Sequence, residues 1–230
     1  MRPPQTIAAR NLAENLLGDF HPLLEQVGSP SGLALAGAVN ASVRLDHIRN
    51  LADLKHFLES YRVQILDPVE LPLICQAYAH ASKNEFAELL SLDRQLAGES
   101  RIEIFASASK RIGRVQLKRL RPLRDQRGLQ RYIRAVDAGG AHAWHTLVYG
   151  VTLASFSFPL RQGLLNYAEQ VLNGFVMAAG QHFELCEVES GKLLHEICAT
   201  IPRSIEAALA TQTAFALKDL APPPQMDLLG

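Results

Sequence analysis

Two histidines and two cysteines in the C-terminal third of the chain could bind a metal ion. They are His182, Cys186, His195 and Cys198. In helices, the first two would share a face at i,i+4 and the last two at i,i+3. Four such nitrogen and sulfur donors could hold zinc or nickel tetrahedrally. The spacing matches no recognised zinc-finger pattern, and buried free cysteines are common and inert, so we expect no metal to be bound here.

A second pair of histidines, His142 and His145, lies on either side of Trp144 at the start of a predicted helix. Metal binding by this pair is conceivable, but a helix-start histidine that is hydrogen-bonded to a neighbour is more usual. The chain has no Gly-x-Ser-x-Gly motif, and Gly191-Lys192 is followed by Leu193 rather than by the serine or threonine of a phosphate loop. We therefore expect that the protein is not an enzyme.

Positive charge is concentrated between residues 110 and 134, where ten cations accompany one acid, Asp125. These cations are Lys110, Arg111, Arg114, Lys118, Arg119, Arg121, Arg124, Arg127, Arg131 and Arg134. Clustered guanidinium groups can bind phosphate, or they can dock an acidic protein. Tyr132 is the one aromatic residue available for stacking on a base, so docking of a protein is the preferred interpretation and binding of nucleic acid the alternative.

The balanced charge argues against a general attraction to nucleic acid or membranes. The cysteines and the N-terminal residues indicate the reducing cytoplasm. Lysine plus arginine equals aspartate plus glutamate, at 23 each. The three cysteines, Cys75, Cys186 and Cys198, fall inside helical patterns and form no disulfide framework. Residues 1–11 contain no apolar run of the kind found in signal peptides.

The elements that must position these residues are helices around one apolar centre. From Ala138 to Phe183 only Arg161 and Glu169 carry a full charge, and Ser157-Phe158-Pro159 divides this stretch into two halves. Each half is too short and in places too polar to span a bilayer, so we predict two buried helices. No segment alternates like a strand, and the sequence predicts a single-domain, all-α helical bundle.

Other helices are predicted from apolar spacing, capping residues and breakers. Asp67-Pro68 is predicted to interrupt one helix, Ser82 and Glu85 to form a capping box, and Pro202 to kink the last long helix. The predicted spans are Thr6–Leu17, His21–Val27, Leu33–Val43, Leu45–Ile65, Val69–Ala81, Lys83–Leu96, Ile102–Leu120, Asp125–Val136 and Glu187–Ala210.

Three local strings resemble those of a known family. The first match runs from Leu92-Asp93 through Leu120, as a leucine-rich helix end, a short break and a further helix. Within that helix, Ala108–Leu117 is similar to a pattern Ala-Ser-x-x-x-Gly-x-x-Leu, with one extra residue before the leucine, and Gly113 indicates a close approach of helices. His145, Val148-Tyr149-Gly150 and Phe158-Pro159 form the second match. Gly191–Leu194 with Ile201–Arg203 is the third. With the order of the helices, these strings resemble the UreF family of urease accessory proteins over residues 22 to 220.

The resemblance implies a homodimeric helical scaffold that catalyses nothing. It would bind the accessory protein UreD, also called UreH, and recruit the nickel-carrying GTPase UreG for delivery of nickel to apo-urease. Nickel would be handled by the assembly, and no cofactor would be bound tightly by this chain. The residues expected to contact partners are Ser109, Lys110, Arg111, Gly113, Arg114 and Lys118. Residues 1–21 would be a helical extension, 22–220 the UreF-like domain, and 221–230 a proline-rich tail.

Three family motifs are eroded, which leaves a second interpretation open. The N-terminal signature is reduced to Pro30–Gly37, a later motif falls on or near Gln181–Glu187, and the usual charged C-terminus is replaced by Pro222–Pro224. The alternative is therefore a diverged paralogue that keeps the bundle and binds a protein outside urease maturation.

Overall fold

The computed structural model describes residues 48–180 and 183–219, and within these ranges there is no strand. In chain order the α-helices are α1 (Leu51–Tyr61), α2 (Leu71–Ser82), α3 (Phe86–Gln95), α4 (Ala106–Leu120), α5 (Arg127–Asp137), α6 (His145–Ser155), α7 (Leu160–Ala179), α8 (Glu187–Cys198) and α9 (Ile201–Asp219). Short 3-10 segments, Leu96–Gly98 and Ser100–Phe105, lead into α4. The all-α class is confirmed. The helices predicted before residue 45, the extension at 1–21 and the tail at 221–230 lie outside the described residues.

The centre of the bundle is α6, in which every residue from His145 to Leu153 is buried. Its Tyr149 belongs to an apolar cluster shared with α1, α7, α8 and α9. Its Val148 belongs to a second cluster, shared with α3, α4 and α5. The helix therefore joins two halves of the core. The next helix, α7, is buried over most of its surface, and the prediction of two buried helices around a break at Ser157-Phe158-Pro159 is confirmed.

The chain does not break at Asp67-Pro68, which corrects the prediction. A π-helical segment, Arg62–Glu70, connects α1 directly to α2. Proline lacks an N–H group, and its ring clashes with the carbonyl group four residues earlier in an α-helix. Widening to bonds between residues five apart, such as Leu71 N–H to Leu66 O, relieves that clash and keeps the helix continuous.

The predicted capping box at Ser82 and Glu85 is also wrong, because Ser82 is the last residue of α2. Asn84 takes a left-handed conformation with φ 61°, and the Glu85 N–H group donates to His80 O at 2.8 Å. This is a Schellman ending, with asparagine at the left-handed position that glycine usually occupies. The Glu85 side chain pairs with the His80 ring at 3.0 Å instead of capping α3.

The predicted helix Glu187–Ala210 is two helices rather than one kinked helix. Ala199 and Thr200 separate α8 from α9, and Pro202 lies in the first turn of α9, where its missing N–H costs no hydrogen bond. The predicted apolar stripe is nevertheless buried; its members are Leu193, Leu194, Ile197, Ile201 and Ile205. No described helix combines the length and the apolarity that crossing a membrane requires.

Candidate functional site

The exposed face of α4 is basic, with one apolar residue in it. Arg111, Arg114, Val115 and Lys118 are all exposed, and their spacing of i, i+3, i+4 and i+7 places them on one side of the helix. Val115 exposes 51% of its surface, which is high for a large apolar side chain. Within the described part of the chain, no hydrogen bond or ion pair engages the three cations. We call these four residues the α4 face.

The other sequence-predicted contact residues of α4 do not belong to this face. Ser109 and Gly113 are buried, so within this chain they position the helix. Lys110 is half-buried, and its ammonium group lies over the Trp144 ring, 4.5 Å from the ring centroid. A cation–π contact of this kind holds the lysine side chain against the core. Whether any of the six residues contacts a partner stays a prediction.

Three contacts with the start of α6 fix the position of α4. The backbone N–H of His145 donates to Ser109 Oγ at 3.0 Å, and His145 Nδ1 lies 3.0 Å from Gln116 Oε1. A Cβ atom on Gly113 would lie only 1.9 Å from Ala143 O, so a glycine is needed for the helix to approach this closely. The α4 face is thus presented from a helix that is locked to the centre of the bundle.

His145 serves this packing as a neutral ring. Burial lowers its pKa to about 3, since a charged imidazolium would lose its hydration. With Gln116 accepting, the proton is placed on Nδ1, and Nε2 has no hydrogen-bond partner in the described residues. The expectation of a helix-start histidine bonded to a neighbour is confirmed for His145. His142 is half-buried and packs edge-on against Trp144.

Sequence reasoning missed the buried residue that organises the segment before α6. Asp93 in α3 has no exposed surface, and its carboxyl group accepts the backbone N–H groups of His142 at 2.5 Å and Ala143 at 3.0 Å. It also accepts the Tyr132 hydroxyl at 2.7 Å. The signal was present in the spacing, because Asp93 falls on the apolar stripe of α3 with Phe86 and Leu89.

The proposed metal ligands are not shown to form a site. Cys186 and His195 are exposed, whereas Cys198 is buried. Burial and, secondarily, the charge of Glu169 raise the pKa of Cys198 to about 12, so the side chain is a thiol at neutral pH. Among the described residues, no three His, Cys, Asp or Glu side chains are grouped so as to hold a metal ion. His182 lies outside those residues.

A buried acid lies at the end of the π-helical segment. Nine residues make about two turns of a π-helix but two and a half turns of an α-helix, so the π geometry places Tyr61 and Glu70 on the same side. The Tyr61 hydroxyl donates to Glu70 Oε2 at 2.5 Å. The Tyr167 hydroxyl interacts with the same carboxyl group electrostatically, without reaching the geometry of a well-formed hydrogen bond. Burial raises the pKa of Glu70 to about 7.

Because the pKa of Glu70 is raised in the folded state, we expect its contribution to the free energy of unfolding to decrease as pH rises. The folded state holds the proton up to about pH 7, whereas the unfolded chain releases it near pH 4.5, so stability is lost over that interval. The Glu70→Gln variant keeps an acceptor for Tyr61 but carries no charge. Relative to this variant, the wild type is expected to lose up to about 2.5 kcal/mol of unfolding free energy between pH 5 and pH 8.

Urea unfolding of both proteins at the two pH values measures this difference. Other titrating groups, including His145, are common to both proteins and cancel in the comparison. A difference that stays constant from pH 5 to pH 8 would show that Glu70 titrates normally.

The fold and this surface define an all-helical protein that presents a basic helix face from a rigid core. A model of the UreF family matches residues 48–197. The chain belongs to the UreF family. Comparison with curated proteins finds no match to this chain.

Membership gives the chain the general role of a urease accessory protein. The family consists of accessory proteins rather than enzymes. The match begins at Ile48 and ends within α8, so it covers the segments that carry Asp93, the α4 face and α6.

Proposed function

We propose that this protein is a scaffold of urease maturation, which binds a UreD (UreH)-like protein and recruits a UreG-like GTPase so that nickel reaches apo-urease. It would act as a homodimer in the cytoplasm, with nickel held by the assembly. Family membership supports the accessory role. The observation that carries the docking role is the exposed α4 face, whose cations have no partner among the described residues, on a helix held to the core by the contacts of His145.

Such a surface works by guiding and orienting a partner. Exposed charges steer the encounter of two proteins and set their register, and they contribute less to the final affinity than buried contacts do. Among the described residues, no acid forms an ion pair with Arg111, Arg114 or Lys118. No such pair therefore has to break when a partner binds. The exposed Val115 adds apolar contact at the middle of the charges, as in the core of many interfaces.

A paralogue outside urease maturation is the second candidate, favoured by the eroded motifs at Pro30–Gly37 and Pro222–Pro224. It would use the same face for another protein. Capture of UreD-like and UreG-like proteins from the chain's own cell separates the two candidates, and urease genes beside its own gene favour the first.

Replacing Arg111 and Arg114 by glutamate is expected to reduce capture of the urease partners about tenfold or more, because two attractions become repulsions. Both positions are exposed, so the free energy of unfolding should change by less than about 0.5 kcal/mol each. Capture is measured by pull-down of co-expressed UreD-like and UreG-like proteins.

The matched control is Lys192→Glu with Arg203→Glu, which makes the same change in charge at exposed positions of α8 and α9. Equal capture by wild type, control and Arg111/Arg114 variant would reject the docking role of α4.

A further inference from the structure

A groove lies beside the α4 face, between the ends of α4 and α5. Its cationic residues are Arg114, Lys118 and Arg121. Its other lining includes Leu117 and Val136, which are 3% and 8% exposed, and the acid Asp137. The groove therefore combines an apolar floor with a basic wall on the α4 side.

One ion pair in this groove is internal. Arg121 Nη2 lies 2.6 Å from Asp137 Oδ1 and 2.8 Å from Asp137 Oδ2, and both side chains are about half exposed. A pair so exposed is weak, worth well under the energy of a buried pair. Arg121 can therefore exchange Asp137 for a carboxylate of another molecule at little cost.

We propose that this groove binds an acidic segment of the partner protein, which inserts one apolar side chain over Leu117 and Val136. Carboxylates of the segment pair with Arg114 and Lys118 and displace Asp137 from Arg121. The inference rests on the proposed docking role of α4 and names the chemistry of the partner. Asp137 acts as an internal competitor that weakens binding of weakly acidic segments.

The groove fits an acidic peptide better than a nucleic acid. Tyr132, the one aromatic residue in α4 and α5, has no exposed surface, so neither of these helices offers a ring for stacking on a base. The buried floor and the nearby Val115 favour a ligand with an apolar side chain.

Binding of a defined probe by the full chain tests the proposal. The probe is a fluorescein-labelled peptide of 12 residues, glutamate and aspartate with a single central leucine, measured by anisotropy at physiological salt. Asp137→Asn should bind it about two- to fivefold more tightly, since Arg121 is freed. Lys118→Glu should bind it at least about fivefold more weakly.

The matched control is Asp125→Asn, which makes the same change of charge at an exposed acid that does not line this groove. It should change peptide affinity less than about twofold, since exposed charges at a distance are screened. A gain for Asp137→Asn no greater than for Asp125→Asn would overturn the competitor role. Equal binding of a peptide with serine in place of leucine would overturn the apolar anchor.

Two further outcomes are decisive. If duplex DNA binds more tightly than the peptide and Lys118→Glu abolishes that binding, the ligand of the groove is a nucleic acid and the proposal of an acidic segment is wrong. If Arg111→Glu/Arg114→Glu loses the urease partners while Lys118→Glu and Asp137→Asn leave peptide binding unchanged, the groove proposal fails and the proposed function stands.

Discussion

Replacing Asp93 by alanine is expected to lower the free energy of unfolding by about 4 to 5 kcal/mol. The carboxyl group of this fully buried residue accepts the Tyr132 hydroxyl and the backbone N–H groups of His142 and Ala143. Truncation leaves three donors without this acceptor, and two of them, the Tyr132 hydroxyl and the Ala143 N–H, belong to buried residues. Each such donor costs about 1 to 3 kcal/mol, and the cavity left by the side chain adds to the loss.

A graded series of variants separates this effect from ordinary loss of contacts. Tyr132→Phe removes one of the three hydrogen bonds and should cost about 1 kcal/mol. Asp125→Ala removes an exposed acid and should change stability by less than about 0.5 kcal/mol. Urea unfolding measures all three variants. Should Asp93→Ala cost no more than Tyr132→Phe, the backbone donors of His142 and Ala143 must have found other acceptors.

The fold was predictable where a single residue determines the local geometry. Gly139 takes φ 76° just after α5, and Pro159 is the residue immediately before the first turn of α7, where the sequence indicates a break. Asp67-Pro68 was misread because a proline looks the same in sequence whether the helix stops or widens into a π-segment. That choice depends on the packing of Tyr61 and Glu70 against α7, which local spacing does not report.

The exposed cations of α4 follow from helical spacing, because Arg111, Arg114 and Lys118 recur on the side opposite Ile112 and Leu117. The role of Ser109 does not follow, since a serine on a basic helix reads equally well as a surface residue. Its inward direction is set by the His145 N–H group, 36 residues later in the chain. Asp93 was missed for a similar reason: its partners lie 39 to 50 residues away.

Replacing Gly113 by alanine is the second change with a large expected effect on the free energy of unfolding. The change is expected to destabilise the protein, although helix propensity alone would favour alanine. In a free helix, alanine is favoured over glycine by about 1 kcal/mol. Here the added Cβ would lie 1.9 Å from Ala143 O and 2.9 Å from Ala143 C, and these backbone atoms cannot move aside as a side chain could. Overpacking costs about 1 to 3 kcal/mol, and separation of α4 from α6 would also strain the two hydrogen bonds of His145.

The net expectation for Gly113→Ala is a loss of about 3 to 4 kcal/mol of unfolding free energy. Gly98→Ala is the matched control, since a Cβ there meets nothing within 4 Å and the variant should be nearly neutral. Trp144 is the only tryptophan of the chain and packs beneath Lys110, so displacement of α4 should shift its fluorescence emission to the red. A stable Gly113→Ala protein with unchanged emission would mean that the close approach of α4 to the start of α6 does not hold the α4 face in place.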